Sequence, residues 1–363
     1  MELDGILNHM VELGASDLHL KVPSPPVFRV DGKLVLGEDM PALKPGDIEE
    51  VFEKITNGEQ QAHFLQQREL DLAYSLNGTA RFRVNVLQQR GTKGIAFRFV
   101  PHEVPTIDEL ELPQITKEII LRPRGLVLVT GPTGAGKSTT LAAMINHLNE
   151  TESRSIVTIE DPIEFLHPDK KSIIVQRDLG DDTESFSTAL TQALRHDCDV
   201  IVIGELRDLA TISTALRAAE TGHLVLGTLH TNSAAQSIDR IIDIFPSDQQ
   251  RQVRMQVAHV LEAVITQVLI PSKNAGRVAA FEIMVATNVI RKLIRNEKTH
   301  EIPPNMEMGI MEGMQTLDQA LMELVNQGRI STEEALLHSE NPVKLRNSLE
   351  SGASSDLLFQ TSG

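Results

Sequence analysis

The stretch GPTGAGKST, Gly131 to Thr139, fits the spacing G-x-x-x-x-G-K-[ST]. Glycines so placed let successive backbone N–H groups turn into one concavity, which is the geometry that holds a phosphate. A helix starting immediately afterwards adds its positive end to the same point. On this reading Gly131, Thr133, Gly134, Ala135, Gly136 and Thr139 form the cradle. Lys137 reaches the β- and γ-phosphates, and the Ser138 hydroxyl ligates Mg²⁺. The flanks agree: the apolar run GLVLVT precedes the loop, and Leu141, Met144, Ile145 and Leu148 recur at helical spacing after it. The expected ligand is ATP with Mg²⁺; the alternative is a glycine-rich turn that binds nothing.

Three more clusters carry chemistry. DVIVIGELRD, Asp199 to Asp208, leads four apolar residues into Gly204 and Glu205 and looks like a Walker B strand. A carboxylate at that strand end faces the ligand crevice of an open α/β sheet, where it can hold Mg²⁺ through water or polarise the attacking water. An ordinary acid at a helix start is the alternative. TIEDPIEF, Thr158 to Phe165, crowds Glu160, Asp161 and Glu164 around a proline. Like charges so close are costly without a cation or shared proton, so a Mg²⁺-nucleotide site would explain them; a solvated turn would also tolerate them. GHLVLGTLHTNSA places His223 before an apolar run and His230 after it. Their interval of seven is too wide for a helical zinc pair. A histidine at the sheet's ligand edge could sense the γ-phosphate, or either could be a structural histidine bonded to backbone. Arg195, before the Walker B strand, and Arg81 and Arg83, in ARFRVNV, are candidates to neutralise phosphate charge, with surface ion pairs as the alternative.

The elements that must position these residues fall into distinct stretches. Residues 1 to about 105 carry the strand signals VFRVDGKLV, with a tight Asp31-Gly32 turn, ARFRVNVLQQR and GIAFRFV. Phe82, Val84 and Val86 take one face of ARFRVNV, and Arg81, Arg83 and Asn85 the other. Between the strands, GDIEEVFEKITNGEQQAHFLQQRE reads as helix. Prolines in HEVPTIDELELPQI predict a linker near 101 to 115, taken between the domains as 106–115. From 116 to 245, buried strands alternate with helices, the pattern of a parallel sheet covered on both faces. After 245 strands nearly vanish. Ser247 and Gln250 predict a capping box for a long helix through Leu269. Helices follow at Met314, Leu317, Leu321 and Leu324 and after Ser331, in a helical region 246–350, and 351–363 reads as a disordered tail.

Composition sets limits. The chain of 363 residues carries 34 basic and 50 acidic side chains, a net charge of −16. With 3% aromatic residues as well, it is poorly suited to direct nucleic-acid binding. One cysteine, Cys198, excludes an internal disulfide and a Cys-rich zinc module. No secretory signal opens the sequence and no apolar run reaches the length of a membrane span, which leads to a cytoplasmic expectation. A small-molecule kinase would need an acceptor pocket and lid, for which the acidic and histidine clusters have no use.

The order of P-loop, acidic box, Walker B strand and histidine box resembles the secretion ATPase superfamily of type II secretion and type IV pili. GASDLHL near the N-terminus and GMQTLDQAL at 313–321 are similar to its pilus-retraction branch. The resemblance covers roughly residues 1 to 345. It implies an α/β fold: an N-terminal PAS-like α/β domain (1–105) and a RecA-like P-loop ATPase core with a helical C-terminal part. It also implies a homo-hexameric ring that hydrolyses ATP to drive pilus retraction, docked on an inner-membrane platform protein at the inner face of the cytoplasmic membrane. Under it Glu164, with Glu160 as fallback, activates water. Glu205 serves the Mg²⁺ and γ-phosphate side, His230 with His223 forms the histidine box, and Arg81, Arg83 and Arg195 close on the phosphates. The extension and type II secretion branches usually carry a further N-terminal domain, often with a four-cysteine metal module, so this chain fits them less well. The retraction motif AIRNLIRE reads VIRKLIRN here, Val289 to Asn296, with Asn296 in place of the acid. That substitution keeps open an accessory retraction role.

Overall fold

The computed structural model describes residues 2–30, 32–37, 39–76, 80–100, 104–274 and 276–360, with backbone alone for 352–360. The chain divides into two units. One comprises Met1–Val104 together with Pro162–His167 and Asp178–Glu184; the other holds Pro105–Asp161, Pro168–Arg177 and Ser185–Gly363.

The first unit is built on a sheet of β1 (Asp17–Lys21), β2 (Val27–Val30), β3 (Lys33–Leu36), β4 (Glu69–Leu76), β5 (Ala80–Gln89) and β6 (Thr92–Val100). Their order is β3-β2-β1-β6-β5-β4. Alternation decides what each face does: Phe82, Val84 and Val86 are buried while Arg83 is exposed and Arg81 half-buried. Helices Leu3–Glu12, Pro45–Ile55 and Gly58–Gln67 supply the rest of this core, in which Phe82 meets Phe97 edge-on at 6.2 Å. The stretch expected as one helix is thus two. Asn57 interrupts it, caps the second helix by accepting from the Gln60 N–H, and receives the Gln60 side chain on its own N–H. Gly32 has a φ of 77°, as a tight turn requires; Asp31 lies outside the described residues.

The second unit contains β7 (Gly125–Thr130), β8 (Ser155–Glu160), β9 (Ile173–Asp178), β10 (Val200–Ile203), β11 (Leu224–Leu229), β12 (Leu261–Pro271) and β13 (Arg277–Val285) in the order β13-β12-β7-β11-β10-β8-β9. Strands β12, β7, β11, β10 and β8 run parallel. Every residue of β7, β10 and β11 is buried, because helices such as Lys137–Thr151 and Leu209–Glu220 cover the sheet.

After residue 245 the structure departs from the sequence expectation. The helix spans Ser247–Val260 and then gives way to β12, and β13 returns antiparallel beside it. The run VLEAVITQVLI is apolar on both faces, so helical and buried-strand periods cannot be told apart in it; sheet pairing with β7 decides. Nor does Ser247 cap this helix. Pro246 occupies the cap, and the Gln250 side chain donates to the Phe245 carbonyl at 3.0 Å. Beyond β13, helices Leu317–Asn326, Thr332–His338 and Pro342–Gln360 follow, and Leu317, Leu321, Ala335 and Leu345 bury the face of β12 and β13 lined by Ile270, Val278 and Ala280. The last helix continues through most of the expected tail, and 361–363 lie outside the described residues, as do 101–103 of the expected linker.

Phe82→Ala should lower stability of the first unit by about 3–5 kcal/mol. Chemical denaturation of wild type and variant measures this; a loss under about 1 kcal/mol would show that Phe82 does not anchor that core.

Candidate nucleotide-binding and hydrolysis site

In an open parallel sheet the C-terminal strand ends form the ligand edge. Four neighbouring strands bring their chemistry there: the P-loop follows β7, Glu160 and Asp161 end β8, Gly204 and Glu205 follow β10, and His230 follows β11. Each strand is apolar because it is buried, and each turns polar where it leaves the sheet.

The P-loop has the backbone its sequence demands. Gly131 has a φ of 141°, and a Cβ there would overlap the carbonyl oxygen of Gln267 on β12. Gly136, with a φ of 89°, is the N-cap of helix Lys137–Thr151, whose first N–H groups open toward the loop. Lys137 is buried, and its Nζ donates to the Gly131 and Pro132 carbonyls at 2.9 and 3.0 Å. The ammonium is thereby folded back over the loop, where a phosphate oxygen can replace a carbonyl. Ser138 and Thr139 are half-buried in the first helical turn. The cradle that a single Cβ would fill, with a cation and a helix end converging on it, fits a phosphate chain.

His230 lies at the centre of the side-chain contacts. Its Nδ1 is 3.4 Å from Lys137 Nζ and 3.5 Å from Thr133 Oγ1, and its Nε2 is 3.4 Å from a Glu205 carboxylate oxygen. Glu205 also pairs with Arg207 at 2.7 Å, and Arg207 reaches Asp161 at 3.9 Å. Burial acts to raise the Glu205 carboxyl, but Arg207 and His230 outweigh it and hold it below the usual carboxylate range. The anion is therefore the form present at neutral pH. Glu160 accepts from Thr158 Oγ1 at 2.6 Å and from Gln176 Nε2 at 3.2 Å, which aims it along the end of β8.

Other expected residues lie elsewhere. His223 precedes β11 and His230 follows it, so within this chain the two are separated by the strand's length, roughly 20 Å. The ring of His223 bonds the Ala218 carbonyl at 3.0 Å, and its own carbonyl accepts from Gly125 at the start of β7. Its placement is that of a backbone-bonded histidine, at the opposite end of β11 from His230. Glu164 is exposed and belongs to the first unit, as do Arg81 and Arg83. Arg83 is exposed, whereas Arg81 donates to Asp178 at 2.8 Å, an ion pair with the carboxylate almost fully buried. Burial pushes the Asp178 carboxyl up and Arg81 only partly restores it. Arg195 is exposed just past the helix Phe186–Ala193.

The sequence reading missed the brace behind the loop. Gln267 Nε2 donates to the Ala135 carbonyl at 2.6 Å, and Thr266 and Thr130 share a buried hydroxyl contact at 2.9 Å. Arg207, which pins Glu205, was also missed. The available signal was polarity inside an apolar strand, Thr266 and Gln267 within VITQVL, hidden because that run was assigned to helix.

Gly131→Ala should reduce ATP affinity by roughly tenfold or more, since its Cβ forces the loop off β12 and misplaces every phosphate-facing N–H. Equilibrium binding of a fluorescent ATP analogue tests this, and unchanged affinity would contradict the cradle as described.

A sequence family described as "Type II/IV secretion system protein" matches residues 2–337. The type IV pilus retraction ATPase PilT of Pseudomonas aeruginosa is 48% identical over 335 residues, covering 92% of this chain and 97% of that protein. The type IV pilus ATPase PilU of the same organism is 42% identical, covering 98% and 93%. A crystal structure of the pilus retraction motor PilT with bound ADP superposes with a TM-score of 0.89 at 45% identity, covering 96% of this chain and 99% of that one. With the P-loop, acidic, Walker B and histidine segments converging on one sheet edge, the chain belongs to the type II/IV secretion system ATPase family.

Proposed function

We propose that this chain is the subunit of a homo-hexameric motor whose ATP hydrolysis powers retraction of a type IV pilus. The observation that carries the reading is the contact set of Lys137, His230 and Glu205 across three adjacent strand ends, on the scaffold of a family whose similar members are named pilus retraction ATPases. Phosphoryl transfer needs positioning and charge neutralisation more than covalent chemistry, and these residues supply both.

In this mechanism the P-loop N–H groups and Lys137 bind the phosphates, and Lys137 exchanges its backbone carbonyls for phosphate oxygens. Bound Mg²⁺ would be held by Ser138 and by Glu205, directly or through water, and would offset charge on the β- and γ-oxygens. His230, already between Lys137 and Glu205, orients at the γ-phosphate position. Glu164 takes the proton of the attacking water, with Glu160 as the fallback. Arg83 and Arg195 neutralise transferred charge from a neighbouring surface. Arg81 joins them only when its pair with Asp178 opens, which links nucleotide contact to rearrangement inside the first unit.

The ring would sit on the cytoplasmic face of the inner membrane against a platform protein; no helix among the described residues is long and apolar enough to cross a membrane. A second reading, an accessory retraction ATPase, is favoured by Asn296 in VIRKLIRN and by the 98% coverage of this chain in the match to PilU.

Lys137→Ala should abolish turnover, and Glu164→Gln should bind ATP while hydrolysing it at least about 100-fold more slowly. Phosphate release beside nucleotide binding decides both. Full turnover in the lysine variant would overturn the motor reading, and normal hydrolysis by the glutamine variant would transfer the base role to Glu160 or Glu205.

A further inference from the structure

Glu282 lies in mid-β13, within the otherwise apolar run AFEIMV, and is only 3% exposed. One carboxylate oxygen accepts the backbone N–H of Ala234 at 2.6 Å, and the backbone N–H of Leu317 also favours its charged form. These are the first residues of helices Ala234–Asp243 and Leu317–Asn326. The first N–H groups of a helix lack intrahelical partners and carry partial positive charge, so a carboxylate bonded to one of them is favoured there. The cap Ser233 already accepts from Gln236, and Glu282 takes the Ala234 donor that this cap leaves.

The position matters for the site. Ala234 stands four residues after His230, and the loop between them hangs from that helix start. In the strand register Glu282 faces Thr266, which meets Thr130 at the end of β7, and the adjacent Gln267 holds the P-loop. A buried acid is expensive to keep: burial, with Glu340 and Asp318 adding like charge, pushes its carboxyl up to about 7. Asp318 itself accepts from the Glu340 and Asn341 N–H groups at the start of the last helix. An apolar side chain would fill the same space at no such cost.

We propose that Glu282 is a positioning residue for hydrolysis: it ties the start of helix Ala234–Asp243 to β13 and so fixes the histidine loop, and His230 with it, against the nucleotide. The assignment rests on the ATPase reading of the site. It makes β13 part of the catalytic geometry without its touching substrate.

The test compares full-length wild type with Glu282→Gln and Glu282→Asp. Glutamine keeps the shape and one acceptor but removes the negative charge that favours the helix start. In Glu282→Gln, kcat should fall roughly tenfold with KM for ATP changed less than about twofold. Amide exchange across 231–236 should rise. Wild-type kcat should climb as pH passes about 7, where the carboxylate forms, and the glutamine variant should lack that step. Stability moves the other way: the buried acid favours its neutral form, so wild type loses stability as pH rises through about 7, and glutamine spares that loss. A higher melting temperature of Glu282→Gln at pH 8 is therefore expected beside its lower kcat. Glu282→Asp, an acid too short to reach the Ala234 N–H from β13, should lose kcat similarly. Unchanged exchange at 231–236 in both variants overturns the assignment whether or not the wild type hydrolyses ATP. Unchanged kcat in either folded variant of an active enzyme overturns it as well.

Discussion

A phosphate-binding loop cannot hold itself open. Its N–H groups must converge on a point that ligand fills only part of the time, and nothing within nine residues can enforce that. Here the constraint is met from outside, by β12. The Gln267 carbonyl forbids a side chain at Gly131, its amide pins the Ala135 carbonyl, and Thr266 bonds Thr130 where β7 ends. The cradle is thus a property of the β7–β12 pairing as much as of the glycine-rich sequence.

Other features of the site depend on that brace. With the loop fixed, Lys137 folds onto two loop carbonyls and comes within reach of His230, and His230 in turn meets Glu205. Glu205 is kept anionic by Arg207 on its other side. A chain of polar contacts then crosses three strand ends, from ammonium through imidazole to carboxylate to guanidinium. Phosphate entering at one end alters the balance at every member, which is how a nucleotide state can be felt beyond the loop that binds it. In the other unit, the Arg81–Asp178 pair already occupies a guanidinium that the chemistry would use, so that arginine is available only at the cost of a buried carboxylate left alone.

Much of this was legible in the sequence because local chemistry and local structure coincide there. The strands β7, β8, β10 and β11 are short and mostly apolar, and the P-loop, Glu160, Glu205 and His230 lie at or just past their C-terminal ends, so spacing alone gives both element and edge. His223 could not be separated from His230 by type; only counting the strand between them puts the two at opposite ends. The region after 245 failed for a physical reason. VLEAVITQVLI is covered on both faces, and its lack of alternation removes the signal that distinguishes strand from helix. With that strand lost, Gln267 and Glu282 had no structural frame, though each is a polar residue where a core should be apolar. Partnerships such as Arg81 with Asp178, separated by 97 positions, leave no local trace at all.

The central claim is that hydrolysis belongs to a ring and not to the isolated chain. The most direct measurement is the mass of the assembly, by light scattering, alongside phosphate release across a dilution series of the wild-type protein with ATP and Mg²⁺. The account predicts that a six-fold mass and ATP turnover appear and vanish together. A monomer that hydrolyses ATP at the full per-subunit rate would contradict it.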